Sequence, residues 1–274
     1  MATIQEALRQ GTRLLDEGRI AAPRLTAEVL LGHALGREKS YLFAHPEEEL
    51  AQIAWIRYGR YLHERLQGKP TQYITSKQEF YGREFRVGHD VLIPRPETEH
   101  VVERALALHP QRVVDVGAGS GAIAITLNLE CGARALATDV SGAAIRVAAA
   151  NARRLNARVD CVVCDVLEAV ASRGVDMVVS NPPYVSRAEA GGLQREVVGF
   201  EPHLALFAGT SGFELYERIV EGAARVLAPG GWIVMELGFR SEARVRGMLA
   251  AWRDVEVRTD LAGLPRVISA RWQP

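Results

Sequence analysis

Apolar residues recur at helical spacing through the first quarter of the chain. Ile4, Ala7, Leu8, Leu14 and Leu15 mark one stripe, and Leu25, Val29, Leu30 and His33 a second, punctuated by Gly11, Gly18 and Gly36. A third pattern runs through Leu50, Ile53, Ala54, Ile56, Arg57, Leu62 and Leu66. It closes at Gly68-Lys69-Pro70, a C-cap glycine with proline beyond it. The spacing predicts a small all-helical domain over residues 1–70. Its His33, His45 and His63 are read as surface or core histidines, not ligands.

From Thr71 the pattern changes. Tyr73-Ile74-Thr75, Glu79-Phe80-Tyr81, Glu84-Phe85-Arg86-Val87 and Val91-Leu92-Ile93 are β-branched and aromatic, broken by Gly82 and Gly88. They predict a β-hairpin linker over 71–94. Pro94 and Pro96 hold the next stretch extended, and Thr98 or Glu97 can cap a helix starting near Glu99. Two prolines around Arg95 also suit the wall of a binding site. Residues 95–274 then alternate strand, turn and helix. The expected strands are Arg112–Val116, Ala133–Thr138, Val159–Cys164, Asp176–Ser180 and Gly231–Glu236. The expected helices include Gly121–Leu129, Ala143–Leu155 and Gly212–Leu227. Asp254–Thr259 and Arg266–Arg271 read as a closing antiparallel pair around Gly263. Such alternation gives an α/β fold, a parallel sheet with helices on both faces and ligands at the carboxyl ends of its strands.

Composition narrows the partners more than the fold. Of 274 residues 48% are hydrophobic, and Lys+Arg and Asp+Glu are both 33, so the formal net charge is zero. Nothing in that balance draws the whole molecule to DNA or an anionic membrane. Cys131, Cys161 and Cys164 are the only cysteines. Cys161-x-x-Cys164 lacks a second pair or a histidine partner, so small strand residues are expected there and no metal or redox site. The first residues open an amphipathic helix, not a signal sequence, and no apolar run approaches membrane-spanning length. A cytoplasmic protein is expected.

Val113-Val114-Asp115-Val116-Gly117-Ala118-Gly119-Ser120-Gly121-Ala122 runs a strand through glycines into a helix. Glycine permits a tight turn and a close approach of ligand to backbone, but the bare pattern also fits a dinucleotide loop. Asp139, about 20 residues on, sits where an acid reaches ribose hydroxyls in either case. Asp115 helps to separate the two. A carboxylate beside the turn repels a pyrophosphate and favours S-adenosylmethionine, which carries a sulfonium and an ammonium but no phosphate. At about 4 Å such a pair is of the order of 4 kcal/mol before desolvation. Asp165 ends the third strand, where it can accept from an adenine amino group or cap a helix. S-adenosylmethionine is therefore the expected cofactor.

Ser180-Asn181-Pro182-Pro183-Tyr184 follows the apolar strand Val175–Val179. Each proline fixes its own φ and restrains its predecessor, so the turn is stiff. The Asn181 side chain and the Pro182 carbonyl can accept both hydrogens of a planar NH2 group, and Tyr184 can lie against its flat face. This is a receptor for an amide or an exocyclic amino group.

Gly117–Ala122, Asn181-Pro182-Pro183-Tyr184 and above all Val91-Leu92-Ile93-Pro94-Arg95-Pro96-Glu97-Thr98-Glu99 resemble the HemK-type release-factor glutamine N5-methyltransferases. Gly68–Thr75, Glu79–Gly82 and Phe200-Glu201-Pro202-His203-Leu204-Ala205-Leu206 match the same family, so the resemblance spans essentially the whole chain. It implies a helical N-terminal substrate-recognition domain, a β-hairpin linker and a seven-stranded Rossmann-like methyltransferase sheet. It also implies a substrate, the glutamine in the Gly-Gly-Gln loop of class-1 peptide-chain release factors. Family positions for the cofactor, which leaves as S-adenosylhomocysteine, correspond to Gly117, Ala118, Gly119, Ser120, Gly121, Asp139, Asp165 and Val166. Asn181 to Tyr184 would hold the amide, Asn181, Pro182 and Tyr184 being the catalytic set, while Arg95 and Glu97 shape the entrance. Asn181 counts on the cofactor side as well. A monomer with no direct nucleic-acid partner is expected.

Departures from the family are Ala118 for a common Thr, Ser76 for Gly, and Ala208 and Ser211 for Gly and Asp. The rival readings are methylation of a ribosomal-protein glutamine, methylation of a nucleic-acid amino group, and an adaptor that keeps only the fold.

Overall fold

A computed structural model describes residues 2–186, 191–192 and 195–274. The described residues up to Lys77, with the helix Arg195–Phe200, form one compact unit, and the rest, from Gln78, form a second.

The first unit opens with a closed capping box. The Thr3 hydroxyl accepts from the Glu6 N–H, and the Glu6 carboxylate accepts from the Thr3 N–H. Helices α1 (Ile4–Glu17), α2 (Pro23–Leu35), α3 (Lys39–Ala44), α4 (Gln52–Leu66) and α5 (Thr71–Thr75) follow. Ile4, Leu15, Leu30, Leu31, Tyr58 and Leu62 pack into their shared core. The buried face of α4 is Ala54, Tyr58, Leu62 and Arg65, spaced four, four and three apart, whereas Ile53 and Ile56 of the expected stripe are exposed. The Arg65 guanidinium is neutralised by Glu196 at 2.7 Å.

Two expected strand segments are not strands. Tyr73–Thr75 belongs to α5: Pro70 sets its start, Thr75 Oγ1 donates to the Thr71 carbonyl, and Ile74 joins the helical core. Ser76, which ends that turn, has φ +59°, the left-handed conformation that explains why glycine is common there. Val91–Ile93 makes no ladder, because the Ile93 N–H goes to the Glu201 carboxylate at 3.2 Å. The hairpin is therefore short, β1 (Lys77–Phe80) and β2 (Arg83–Arg86). Tyr81 and Gly82 turn it with φ +51° and +70°, as a two-residue hairpin demands, and the Tyr81 N–H is held by Glu99.

In the second unit a 3₁₀ turn (Pro96–Thr98) leads into α6 (Glu99–Leu106). Then come β3 (Arg112–Val116), α7 (Ala122–Cys131), β4 (Arg134–Asp139), α8 (Gly142–Arg154), β5 (Val159–Val163) and β6 (Val175–Ser180). The remaining elements are α9 (Arg195–Phe200, packed with the first unit), α10 (His203–Leu206), α11 (Glu214–Val226), β7 (Leu227–Glu236), α12 (Glu242–Met248), β8 (Arg253–Thr259) and β9 (Pro265–Arg271). The seven-stranded sheet has the order β5-β4-β3-β6-β7-β9-β8. Its first five strands are parallel, and β9 runs antiparallel between β7 and β8. Strand periodicity divides the core. Val114, Val116, Val178, Ile233 and Met235 face α11 and α12, while Val113, Met177, Val179 and Val234 face α6 and α7. Among the described residues no helix is long and apolar enough to cross a membrane.

Candidate active site

β3 and β6 are neighbours with Val116 paired to Ser180, although two strands separate them in the chain. β4 and β5 lie on one side of this pair and β7 on the other, so the loops leaving β3 and β6 diverge and open a crevice. It holds a cavity of about 450 Å3, lined by Gly117, Gly119, Asp139, Asn181, Pro182 and Pro183 among others. That volume suits a small-molecule cofactor.

Gly117 and Gly119 have φ +72° and +54°, and a Cβ on either would meet no protein atom within 4 Å. Their lack of side chains keeps this space open to the cavity. Asp139 splints the loop: Oδ2 accepts from the Gly119 N–H at 3.0 Å and Oδ1 from the Ser141 N–H at 2.9 Å. A carboxylate offers about four lone-pair sites, so acceptors remain for sugar hydroxyls. Ala118, Ser120 and Gly121 do not line the cavity. Gly121 serves packing, since a Cβ there would lie 2.9 Å from Ile125 Cδ1 and 3.2 Å from Ala148 Cβ. The Ser120 carbonyl accepts from buried Asn151, whose amide also exchanges two hydrogen bonds with the Arg86 backbone at the end of β2.

Asp115 lies beneath the loop, not in the cavity wall. It is 1% exposed, and its Oδ2 accepts the Ala124 N–H at 3.1 Å. Burial pushes its carboxyl up to about 7, so a full negative charge beside the turn is not available near neutrality. Asp139 and Asp165 do line the cavity, and of the two only Asp139 is without an arginine partner among the described residues. A raised folded-state value favours the protonated form, so the associated stability is complete below the unfolded value, 3.8, and is lost as pH rises through about 7. Asp115→Asn is therefore expected to melt increasingly above the wild type as pH is raised from 4.5 to 8, with cofactor affinity unchanged. A wild-type protein that melts higher at pH 8, or a variant that loses cofactor in calorimetric titration, would contradict this.

Asp165 pairs with Arg218 at 2.8 Å, and both lie on the cavity wall. Val166, also on that wall, has φ +51°, unusual for a β-branched residue, and its carbonyl lies 3.1 Å from the Thr138 hydroxyl. Apolar surface comes from Leu204, Ala205 and Phe207.

Asn181 is oriented by groups distant in sequence. Its Nδ2 donates to Thr98 Oγ1 at 2.9 Å, and Thr98 Oγ1 donates to Glu236 Oε2 at 2.6 Å. Thr98 thus stands at the N-cap position of α6, one of the two caps the sequence offered, but its hydroxyl bonds no backbone N–H there and is spent on this chain of bonds. Tyr184 stands outside the cavity lining, its ring against Gly238, where a Cβ would come within 2.6 Å of Cγ. The backbone beyond it is braced, Val185 N–H to the Leu206 carbonyl and Ala208 N–H to the Val185 carbonyl, both at 3.1 Å. The loop carrying Ser211 is ordered by Glu214, whose carboxylate takes the N–H groups of Ser211, Thr210 and Phe213; backbone hydrogen bonds, that of Ser211 first and then Glu214's own, hold its carboxyl down at about 2. Arg95 and Glu97 do not line the cavity; Arg95 is paired with buried Glu201.

Sequence reasoning missed Thr98, Glu201, Arg218 and Glu236. Glu236 carried a signal, a carboxylate ending the apolar run Trp232-Ile233-Val234-Met235 as Asp115 and Asp139 nearly end theirs. Thr98 carried none beyond a cap.

Residues 6–75 match the family model described as the PrmC N-terminal domain, and residues 96–198 that described as the methyltransferase small domain. A release factor glutamine methyltransferase of Koribacter versatilis is 43% identical over 98% of both chains. Its counterpart in Bacillus subtilis is 40% identical, also over 98% of each, and that of Nitratidesulfovibrio vulgaris 41% identical over 98% of this chain and 95% of its own. Among solved structures, a methyltransferase from Pyrococcus furiosus superimposes with a TM-score of 0.55 at 16% identity, covering 80% of this chain and 99% of its own. The Thermus thermophilus 16S rRNA N2 G1207 methyltransferase, solved with AdoMet and guanosine, gives 0.51 at 18% identity, covering 72% of this chain and 50% of its own. These two share the fold.

Proposed function

The chain belongs to the release factor glutamine methyltransferase family, and from that premise we propose that it moves a methyl group from S-adenosylmethionine to the side-chain amide nitrogen of a release-factor glutamine. The acceptor is the glutamine of the Gly-Gly-Gln loop in class-1 factors, and the reaction takes place in the cytoplasm, with the enzyme a monomer that needs no nucleic acid. The observation that carries this reading is the Asn181 amide, on the wall of the same cavity as Gly117, Gly119 and Asp139.

The residues present suit the cofactor. Side-chain-free space at Gly117 and Gly119 would let it approach the backbone, Asp139 would offer its remaining acceptors to ribose hydroxyls, and Asp165 with Val166 would hold the adenine. When bound, S-adenosylmethionine supplies an electrophilic methyl on a positive sulfur that is its own leaving group.

A carboxamide nitrogen is a weak nucleophile because its lone pair is delocalised. Asn181 Oδ1 and the Pro182 carbonyl each accept one of its N–H bonds, which fixes the nitrogen and leaves its lone pair directed at the electrophile. The two prolines hold these acceptors still, so little freedom is lost on binding; orientation of this kind can supply roughly 7–11 kcal/mol. Tyr184, packed on Gly238, steadies the turn that carries both acceptors. No strong base is required before transfer, since the N-methylated product cation is the more acidic species.

Incubation with methyl-labelled S-adenosylmethionine and a purified class-1 release factor should label one glutamine, located by peptide mass spectrometry. Label appearing only on a ribosomal protein or on nucleic acid would overturn the assignment.

A further inference from the structure

The two ends of an asparagine amide have nearly the same shape, so packing alone does not decide which one faces a ligand. Hydrogen count does. Thr98 is 4% exposed and its hydroxyl has a single hydrogen; Glu236, also 4% exposed, has none when ionised. That hydrogen therefore goes to Glu236 at 2.6 Å, and a Thr98 lone pair is left for Asn181, which must present an Nδ2–H at 2.9 Å. The carbonyl end of the amide is thereby turned away from Thr98 and offered to the cavity that Asn181 lines.

We infer that Thr98 and Glu236 are positioning residues that dictate which end of the Asn181 amide meets the substrate, and that proton uptake by Glu236 releases this control. The inference rests on the proposed amide methylation. Once Glu236 carries a proton it can donate to Thr98, whose own hydrogen then turns to Asn181 Oδ1. The side chain in that arrangement shows NH2 to the substrate NH2, donor against donor, and the acceptor is lost.

The surroundings bring this exchange close to neutral pH. Burial pushes the Glu236 carboxyl up to about 7, against the pull of the Thr98 hydroxyl, with Glu97 on the 3₁₀ turn adding to the rise and Arg266 on β9 and Arg95 opposing it. Both arginines already serve carboxylates, Asp260 and Glu201 respectively. Tyr184 after β6 and Tyr216 on α11 also face Glu236; the Tyr216 hydroxyl donates to the Glu236 backbone carbonyl at 2.8 Å and leaves the carboxylate to Thr98. Since the ionised form enforces the productive orientation, turnover is expected above about pH 7 and declines as pH falls through it.

The test measures kcat for release-factor methylation from pH 5.5 to 9, with the cofactor dissociation constant as a check on folding. Thr98→Val should lower kcat by about tenfold or more, the scale of one hydrogen bond to a charged group, and flatten the acid limb. Thr98→Ser, which keeps the hydroxyl, should restore both. Glu236→Gln, whose NH2 can donate to Thr98 as the protonated acid does, should lower kcat across the whole range and lose the acid limb. The relay is refuted if cofactor-binding Thr98→Val matches the wild type, if Thr98→Ser does no better than Thr98→Val, or if Glu236→Gln keeps the acid limb. A readout free of substrate separates this from the function itself. The Asn181 side-chain amide resonances, assigned by their loss in Asn181→Ala, should move between pH 6 and 8 in the wild type and stay fixed in Glu236→Gln. Resonances that stay fixed in the wild type refute the relay, whereas wild-type protein that leaves the release factor unmodified refutes only the proposed substrate.

Discussion

Glutamate in place of the acceptor glutamine should reduce kcat/KM by about 10⁴–10⁵, the discrimination reached by sites built around a donor that the analogue lacks. The reason is a count of donors. A glutamine amide brings two N–H bonds to two acceptors, Asn181 Oδ1 and the Pro182 carbonyl. An ionised glutamate brings none, and its negative oxygens would meet those acceptors with Glu236 and Glu97 nearby. A steric filter would not act this way, because the two side chains are nearly isosteric. Kinetics on a release factor with glutamate at that position, with the methyl ester sought by mass spectrometry, would decide. A loss of less than about tenfold, corresponding to about 1.4 kcal/mol, would mean that the amide is not read by donor count.

Asn181→Ala should lower kcat by about 10²–10³, the usual scale for removing one preorganised group from a reacting centre. The cofactor should still bind, because Gly117, Gly119, Asp139 and Asp165 are untouched. Equilibrium binding paired with single-turnover methylation separates the two effects. Near-normal turnover, or loss of cofactor binding in step with turnover, would remove Asn181 from the role given to it. Asn181→Asp is the informative companion. It keeps an acceptor for the substrate, but Thr98 has only one hydrogen to share between two carboxylates, so the variant should fall between wild type and alanine.

Much of the second unit was legible because its chemistry follows its rhythm. Each parallel strand reads as a buried apolar run, and the polar residue that ends it lands on one edge of the sheet. Asp139, Asp165 and Asn181 were identifiable on that ground alone, and all three line the cavity. The errors fall where local pattern and tertiary context disagree. Tyr73-Ile74-Thr75 has strand composition but follows Pro70 and packs into a helical core, and context won. Asp115 alternates correctly along β3, yet alternation does not report whether a position faces solvent or a covering helix, and α7 covers it.

By itself the sequence determined the strand–helix alternation from Arg112 onward, the stiff Asn181-Pro182-Pro183-Tyr184 turn and the open glycine loop, since each depends on φ preferences and periodicity within a few residues. Tertiary structure alone decided that the loops after β3 and β6 share one crevice, a consequence of strand order that puts Val116 beside Ser180. It alone brought Thr98 to Asn181, 83 residues away, and to Glu236, 138 residues away. A hydrogen bond needs partners within about 3 Å, and no pattern of neighbours along a chain encodes a distance of that kind between segments so far apart.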